Sequence, residues 1–118
     1  MVRSLTEIIK DNVEIQVQNS NQIFDPKEYT ERGWVVISSK PAEKYRQAIL
    51  TRLYLDGVAK VIAVGKYLGK LLLVVNWFLL ERIDSIKIKQ VQFDVMKSNR
   101  QVPLGVLKVI IERRDRNV

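Results

Sequence analysis

The residues best suited to chemistry are two lysines, each behind a glycine: Gly65-Lys66 and Gly69-Lys70, in the segment AVGKYLGKLLLVVNWFLLER from Ala63 to Arg82. The lysines are four apart, so a helix starting here sets both on one face at its N-terminal end. That end carries partial positive charge of its own, which makes lysine unfavourable there unless an anion is present. Glycines let a backbone approach closely, helix N–H groups point outward and lysines add charge, which together are the parts of a phosphate site. The pattern is not a nucleotide-binding P-loop, because Leu71 follows Lys70 where that loop has Ser or Thr. A plainer account also stands, in which Gly65 makes a strand-to-helix turn and both lysines are simply solvated.

Three further cations belong to the same question. Lys40 sits in Ser39-Lys40-Pro41, a sequence suited to the start of another helix. The polar turn KSNRQ carries Lys97 and Arg100, and a protruding basic ribbon can track a phosphate backbone as readily as it can be a solvated turn. Catalysis has little to work with. The chain has no histidine and no cysteine, which removes thiolate chemistry, the usual zinc ligands and the commonest general base. The acidic residues after Gly33 form no spaced pair resembling a metal site. We therefore expect a binding protein and no enzyme, with no cofactor and no metal.

The 118 residues fit one domain with a modest core, and 47% hydrophobic with 28% charged residues is an ordinary globular mix. The net charge of +7 is unevenly placed. Residues 1–32 carry four Lys or Arg against six Asp or Glu, a net −2, while residues 33–118 carry sixteen against seven, a net +9. A basic body attracts polyanions. The greasiest run, Leu71 to Leu80, contains Asn76 and would span only about 15 Å as a helix, half a bilayer core. No secretory signal is visible in Met1 to Lys10. The expectation is a cytoplasmic protein without a membrane partner.

These cations need elements to position them. Residues 1–32 read as an acidic extension: a short helix from Ser4 to Lys10 with a capping-box spacing to Glu7, then a strand in VEIQVQ, then loop signals in NSNQ and DP. Residues 33–118 form the main body. Trp34 to Ser38 reads as a buried strand, and Ala42, Tyr45, Ile49 and Leu53 mark a helical stripe ended by Asp56-Gly57. Val58 to Val64 reads as a strand covered on both faces, followed by a second helix over about Tyr67 to Arg82. The apolar phase shifts by one residue between Ile88 and Val91, predicting a bulge or a change of packing partner in the next strand. A final strand runs from Val102 to Ile111. The order β-α-β-α-β-β predicts an α+β two-layer sandwich: a mixed four-stranded sheet packed on two helices, with an extended terminal β-hairpin. If the strands before the two helices are parallel neighbours, Lys40, Lys66 and Lys70 converge on one sheet edge.

The second helix is apolar nearly all round, whereas a helix lying on a sheet needs one apolar face. The surplus is covered either by residues 1–32 or by a second subunit. We expect a dimer, with Leu72, Val75, Trp77, Phe78 and Leu79 at the interface and the N-terminal segment covering part of the remainder.

Two stretches resemble a known family. SSKPAEKY is similar to the GKKP-type start of the first helix of the Alba superfamily, small basic archaeal chromatin proteins with eukaryotic relatives. GKYLGK is similar to the GRAISK-type start of that family's second helix, and the resemblance covers about residues 34–113. It implies the Alba fold, shared with the C-terminal domain of initiation factor 3. It also implies dimers that bind double-stranded DNA, and often RNA, with weak sequence specificity, on the nucleoid if the source is archaeal. By resemblance, Lys40, Lys66 and Lys70 would face phosphates, with Gly65 and Gly69 at the helix start, and Lys97 and Arg100 would lie on arms reaching along the minor groove. A second possibility is an RNA-binding subunit of the ribonuclease P/MRP-associated Alba-like type, paired with a paralogous Alba-like partner. A third, of another class, is a protein-assembly module whose basic face is incidental. The sequence departs from the family pattern in Ser39, where a second lysine is common, in Gly69, where the family has serine, in its short hairpin tip and in the acidic extension.

Overall fold

The structure, a computed structural model, describes the backbone of residues 15–114 and the side chains of residues 22–114. The helix expected over Ser4 to Lys10, and Val13 and Glu14 of the first expected strand, lie outside the described residues. Among the described residues, five strands form one mixed sheet. They are β1 (Ile15–Ile23), β2 (Val35–Val36), β3 (Val58–Val64), β4 (Ile86–Lys97) and β5 (Pro103–Arg113), in the spatial order β1-β4-β5-β3-β2. Among the described residues three α-helices accompany them, α1 (Pro26–Glu31), α2 (Ala42–Asp56) and α3 (Leu68–Glu81), with a 3-10 turn over Gly65–Tyr67 leading into α3. The architecture is α+β, as the sequence predicts, with one strand more than the four expected.

The additional strand, β1, is the one VEIQVQ predicts, joined to the edge of the sheet, and its continuation through NSNQ corrects the reading of those residues as a loop. β1 runs parallel to β4 from Ile15↔Val91 to Ile23↔Lys97, with an irregularity between Asn19 and Ile23. The free edge of β4 offers backbone partners that outweigh the local turn preference of Asn and Ser, and the register breaks over the turn-forming residues. Asp25-Pro26 is likewise the start of a helix. Asp25 caps α1 by accepting a hydrogen bond from the Lys27 amide at 3.1 Å, and Pro26 occupies the first turn. The strand expected over Trp34 to Ser38 contracts to Val35–Val36, although the Ile37 amide still reaches the Ile62 carbonyl.

The remaining elements follow the sequence pattern closely. Tyr45, Ile49 and Leu53 form the buried stripe of α2. That helix ends at Gly57, whose φ of +74° only glycine adopts without strain, and its last carbonyls accept hydrogen bonds from the Arg113 guanidinium at 3.2 and 3.3 Å. β4 bulges between Ile88 and Gln90, where the apolar phase shifts. The principal core lies between the sheet and helices α2 and α3, built on Val61, Val109, Ile49, Leu71 and Phe78. A smaller cluster on the opposite sheet face joins Ile62, Met96 and Val106 under Tyr29 of α1. Beside it, Lys108 Nζ meets Asp94 Oδ2 at 2.9 Å, and Gln92 donates to both Asp94 oxygens.

Candidate nucleic-acid interface

β2 and β3 are parallel neighbours, so the loops that follow them emerge at the same end of the sheet. The Lys70 ammonium joins them. It donates to the Ser38 carbonyl at 2.8 Å and to the Lys40 carbonyl at 2.9 Å, and it lies 5.7 and 5.9 Å from the ring centres of Tyr67 and Tyr45. The same loop wraps the Tyr45 hydroxyl, whose oxygen accepts the Ser38 amide at 2.9 Å and the Lys40 amide at 3.0 Å. Burial alone would push the Tyr45 phenol up. Hydrogen bonds from the Ser38 hydroxyl and the amides of Lys40 and Ser38, with the Lys70 charge, outweigh it and hold the phenol below its ordinary 10.0. The loop carrying Lys40 is thus clamped from both sides, amides to Tyr45 and carbonyls to Lys70.

The structure therefore brings Lys40, Lys66 and Lys70 to one edge, but in different roles. Lys40 and Lys66 are exposed, with the Lys66 ammonium 5.3 Å from the Tyr67 ring centre. Lys70 is half-buried and has two of its three donors committed inside the chain. Gly65 has φ +58°, so the turn from β3 into α3 requires a glycine. Gly69 has ordinary helical geometry, with open space where a Cβ would stand. Among the described residues, the first turn of α3 holds no acidic side chain and no side chain caps it. Among the described residues, no side chain of that turn offsets its N-terminal partial charge.

Lys97 and Arg100 stand apart from this edge but at the same end of the molecule. Val64, the last residue of β3, pairs with Val106. Pro103 to Gly105 continue beyond it, a projection of about 10 Å before the turn. Lys97 is half-buried at the end of β4, and its carbonyl accepts the Phe24 amide at 2.9 Å. Arg100 is exposed in a turn organised by the Ser98 hydroxyl, which accepts the amides of Arg100 and Val102.

The apolar residues of α3 divide by side. Val75, Phe78 and Leu79 are 0–1% exposed and are spent in the chain's own core. Leu72 and Trp77 are half-buried, with the Arg46 guanidinium 4.9 Å from the Trp77 ring centre. The outward apolar residues are Leu73 and Leu80, 70% and 63% exposed.

Sequence reasoning missed the clamp, because nothing in the spacing of Tyr45 and Lys70 shows that they meet around one loop. It also missed a cleft of about 810 Å³ between α1, β2 and α2, lined by Trp34, Lys44 and Arg52 among others. The Lys44-Ala48-Arg52 spacing was the available signal for it, since it marks one helix face. Among the described residues there is no His/Cys/Asp/Glu cluster able to hold a metal, and no helix long and apolar enough to cross a membrane.

No protein-family model matches the sequence, and none of the curated proteins compared matches it. Solved structures do. Alba from Thermoplasma volcanium superposes with a TM-score of 0.58 at 17% identity, over 67% of this chain and 98% of that one. ALBA1 from Trypanosoma brucei gives 0.57 at 16% identity, over 71% of this chain and 72% of that one. The chain has an Alba-like fold.

Proposed function

We propose that this chain, on its Alba-like fold, is a non-enzymatic nucleic-acid-binding protein that holds duplex DNA by its phosphates, with weak sequence specificity, as a dimer. The observation that carries the reading is the Lys70 clamp. By fixing the Ser38 and Lys40 carbonyls, it fuses the starts of α2 and α3 into one cationic edge, next to a helix N-terminus with no acid in its first turn. Phosphate oxygens are the ligand such an edge suits. Lys40 and Lys66 reach them directly, Lys70 adds its charge from beneath, and Arg100 and Lys97 extend the track along the hairpin. The dimer places two such tracks side by side, joined through the outward stripe of Leu73, Trp77 and Leu80 on α3.

Fluorescence anisotropy against matched duplex DNA and structured RNA tests this. Three to five contacts per protomer give a dimer about six to ten, so affinity should fall by roughly 10³- to 10⁵-fold between about 50 and 200 mM salt. Lys66→Ala with Arg100→Ala should weaken binding to every sequence alike. Absence of binding at low salt would remove the proposal. Preference for structured RNA over duplex would favour a ribonucleoprotein subunit.

A further inference from the structure

The cleft between α1, β2 and α2 adjoins the clamped edge, sharing Ser38, Lys40 and Tyr45 with it, and extends along α2 to a chemistry of its own. Its floor is apolar, with Val36 and the half-buried Trp34, and its rim carries Lys40, Lys44 and Arg52. Among the described residues that line it, none is Asp or Glu. The Arg52 guanidinium touches Asp56 at 3.4 Å, but that pair is about half exposed and leaves Arg52 free to exchange partners. Lys44 and Arg52 are two turns apart on one face of α2, roughly 12 Å along its axis. Trp34 is braced edge-on by Tyr29 at 5.6 Å, so its ring is held rather than loose.

We propose that this cleft binds an unpaired nucleotide segment, its base against Trp34 and its phosphates on Lys44 and Arg52. An aromatic floor under a cationic rim takes single strands because the base face must be free, and a stacked duplex hides it. The rival occupant, an acidic peptide adding a strand to β2, finds little to pair with. β2 has only Val35 and Val36, the Trp34 amide is bound to the Tyr29 carbonyl, and the Ile37 amide to the Ile62 carbonyl. The inference rests on the nucleic-acid reading and refines it: the clamped edge holds duplex phosphates, the cleft an unpaired stretch beside them.

The test compares the full chain with Lys44→Gln/Arg52→Gln, both on a Trp77→Phe background so that Trp34 is the only tryptophan reporter. Circular dichroism confirms folding, and the probes are a short oligouridylate and a duplex. The cleft reading expects oligouridylate to quench Trp34. It also expects the double variant to lose at least tenfold in single-strand affinity, its salt slope shallower by about 1.4, while duplex affinity stays within about threefold. Equal losses for both probes would make the cleft one more stretch of the phosphate track and overturn it. So would quenching by an oligoglutamate peptide with none by oligouridylate. Duplex binding without single-strand binding would sink the cleft alone; binding of neither would sink the proposed function with it.

Discussion

Replacing Lys70 by alanine separates a structural lysine from a contacting one. The substitution removes two charge-assisted hydrogen bonds, at 2.8 and 2.9 Å, from the Ser38 and Lys40 carbonyls. Such bonds contribute about 1.5–3 kcal/mol each when buried. Here Lys70 and Ser38 are half-buried and Lys40 is exposed, so water can replace part of what is lost. A combined cost of about 1.5–3 kcal/mol follows, and at about 4 °C per kcal/mol for a domain of this size the midpoint should fall by roughly 6–12 °C. Lys66→Ala, which removes an exposed ammonium resting on Tyr67, should leave the midpoint within about 2 °C. Duplex affinity should fall for both, and further for Lys70→Ala, because the loop presenting Lys40 is released along with the charge. Differential scanning calorimetry and anisotropy on the same samples decide it. A Lys70→Ala protein that melts with the parent would refute the clamp.

Tyr45→Phe should cost about 1–3 kcal/mol, since the Ser38 and Lys40 amides lose their acceptor; urea denaturation measures it. Because the folded phenol titrates below 10.0, its ionisation adds stability that is fully present above pH 10.0 and is lost as pH falls through the folded value. A phenolate absorbance component below the usual range should vanish in Tyr45→Phe. Gly65→Ala should destabilise by about 1–2 kcal/mol and Gly69→Ala should stabilise by about 0.5–1 kcal/mol, because only Gly65 has a positive φ. Asp94→Asn should cost about 2–3 kcal/mol by leaving the mostly buried Lys108 without its counter-charge, and the double change to Leu and Met should cost less. Burial pulls the Lys108 ammonium down, but Asp94 and Tyr29 outweigh it and hold it above 10.5. That contribution is complete below pH 10.5 and is lost as pH rises through the folded value, which alkaline melting curves of the parent and Asp94→Asn would show.

The parts legible in the sequence were those set by periodicity. The stripe of α2, the nearly continuous run of β3 and the phase shift at Ile88 each fix an element through side-chain alternation, and each appears where the pattern puts it. The parts that escaped depend on distant partners. Asn19 to Gln22 carry loop residues, yet β4 recruits their backbone into β1. Asp25-Pro26 signals a turn or a helix start equally well, and the choice falls to Tyr29, which finds Met96 and Lys108 beneath it. The candidate site divides the same way. Its cations could be listed from spacing, but that Lys70 faces inward onto two carbonyls could not, since the contact spans thirty residues of sequence.

Helix α3 shows why the apolar character of this segment and its lysines belong together. Leu71, Val74, Val75, Phe78 and Leu79 face the sheet and fix the helix axis. With the axis fixed, Lys70 is delivered to the Ser38–Lys40 loop by rigid packing, so the inward stripe sets the site as well as the core. Leu73, Trp77 and Leu80 share the outward stripe at intervals of four and three residues, and an isolated chain would leave Leu73 and Leu80 to water. At the sheet edges, β2 is only two residues long, whereas β1, paired with β4 on one side, is a nine-residue edge strand. The proposed dimer rests instead on the apolar stripe of α3. Leu73→Asp with Leu80→Asp should accordingly yield a monomer by sedimentation while melting as the parent chain does in its own monomeric form. Unchanged sedimentation as a dimer would place the interface elsewhere and detach the second phosphate track from this helix.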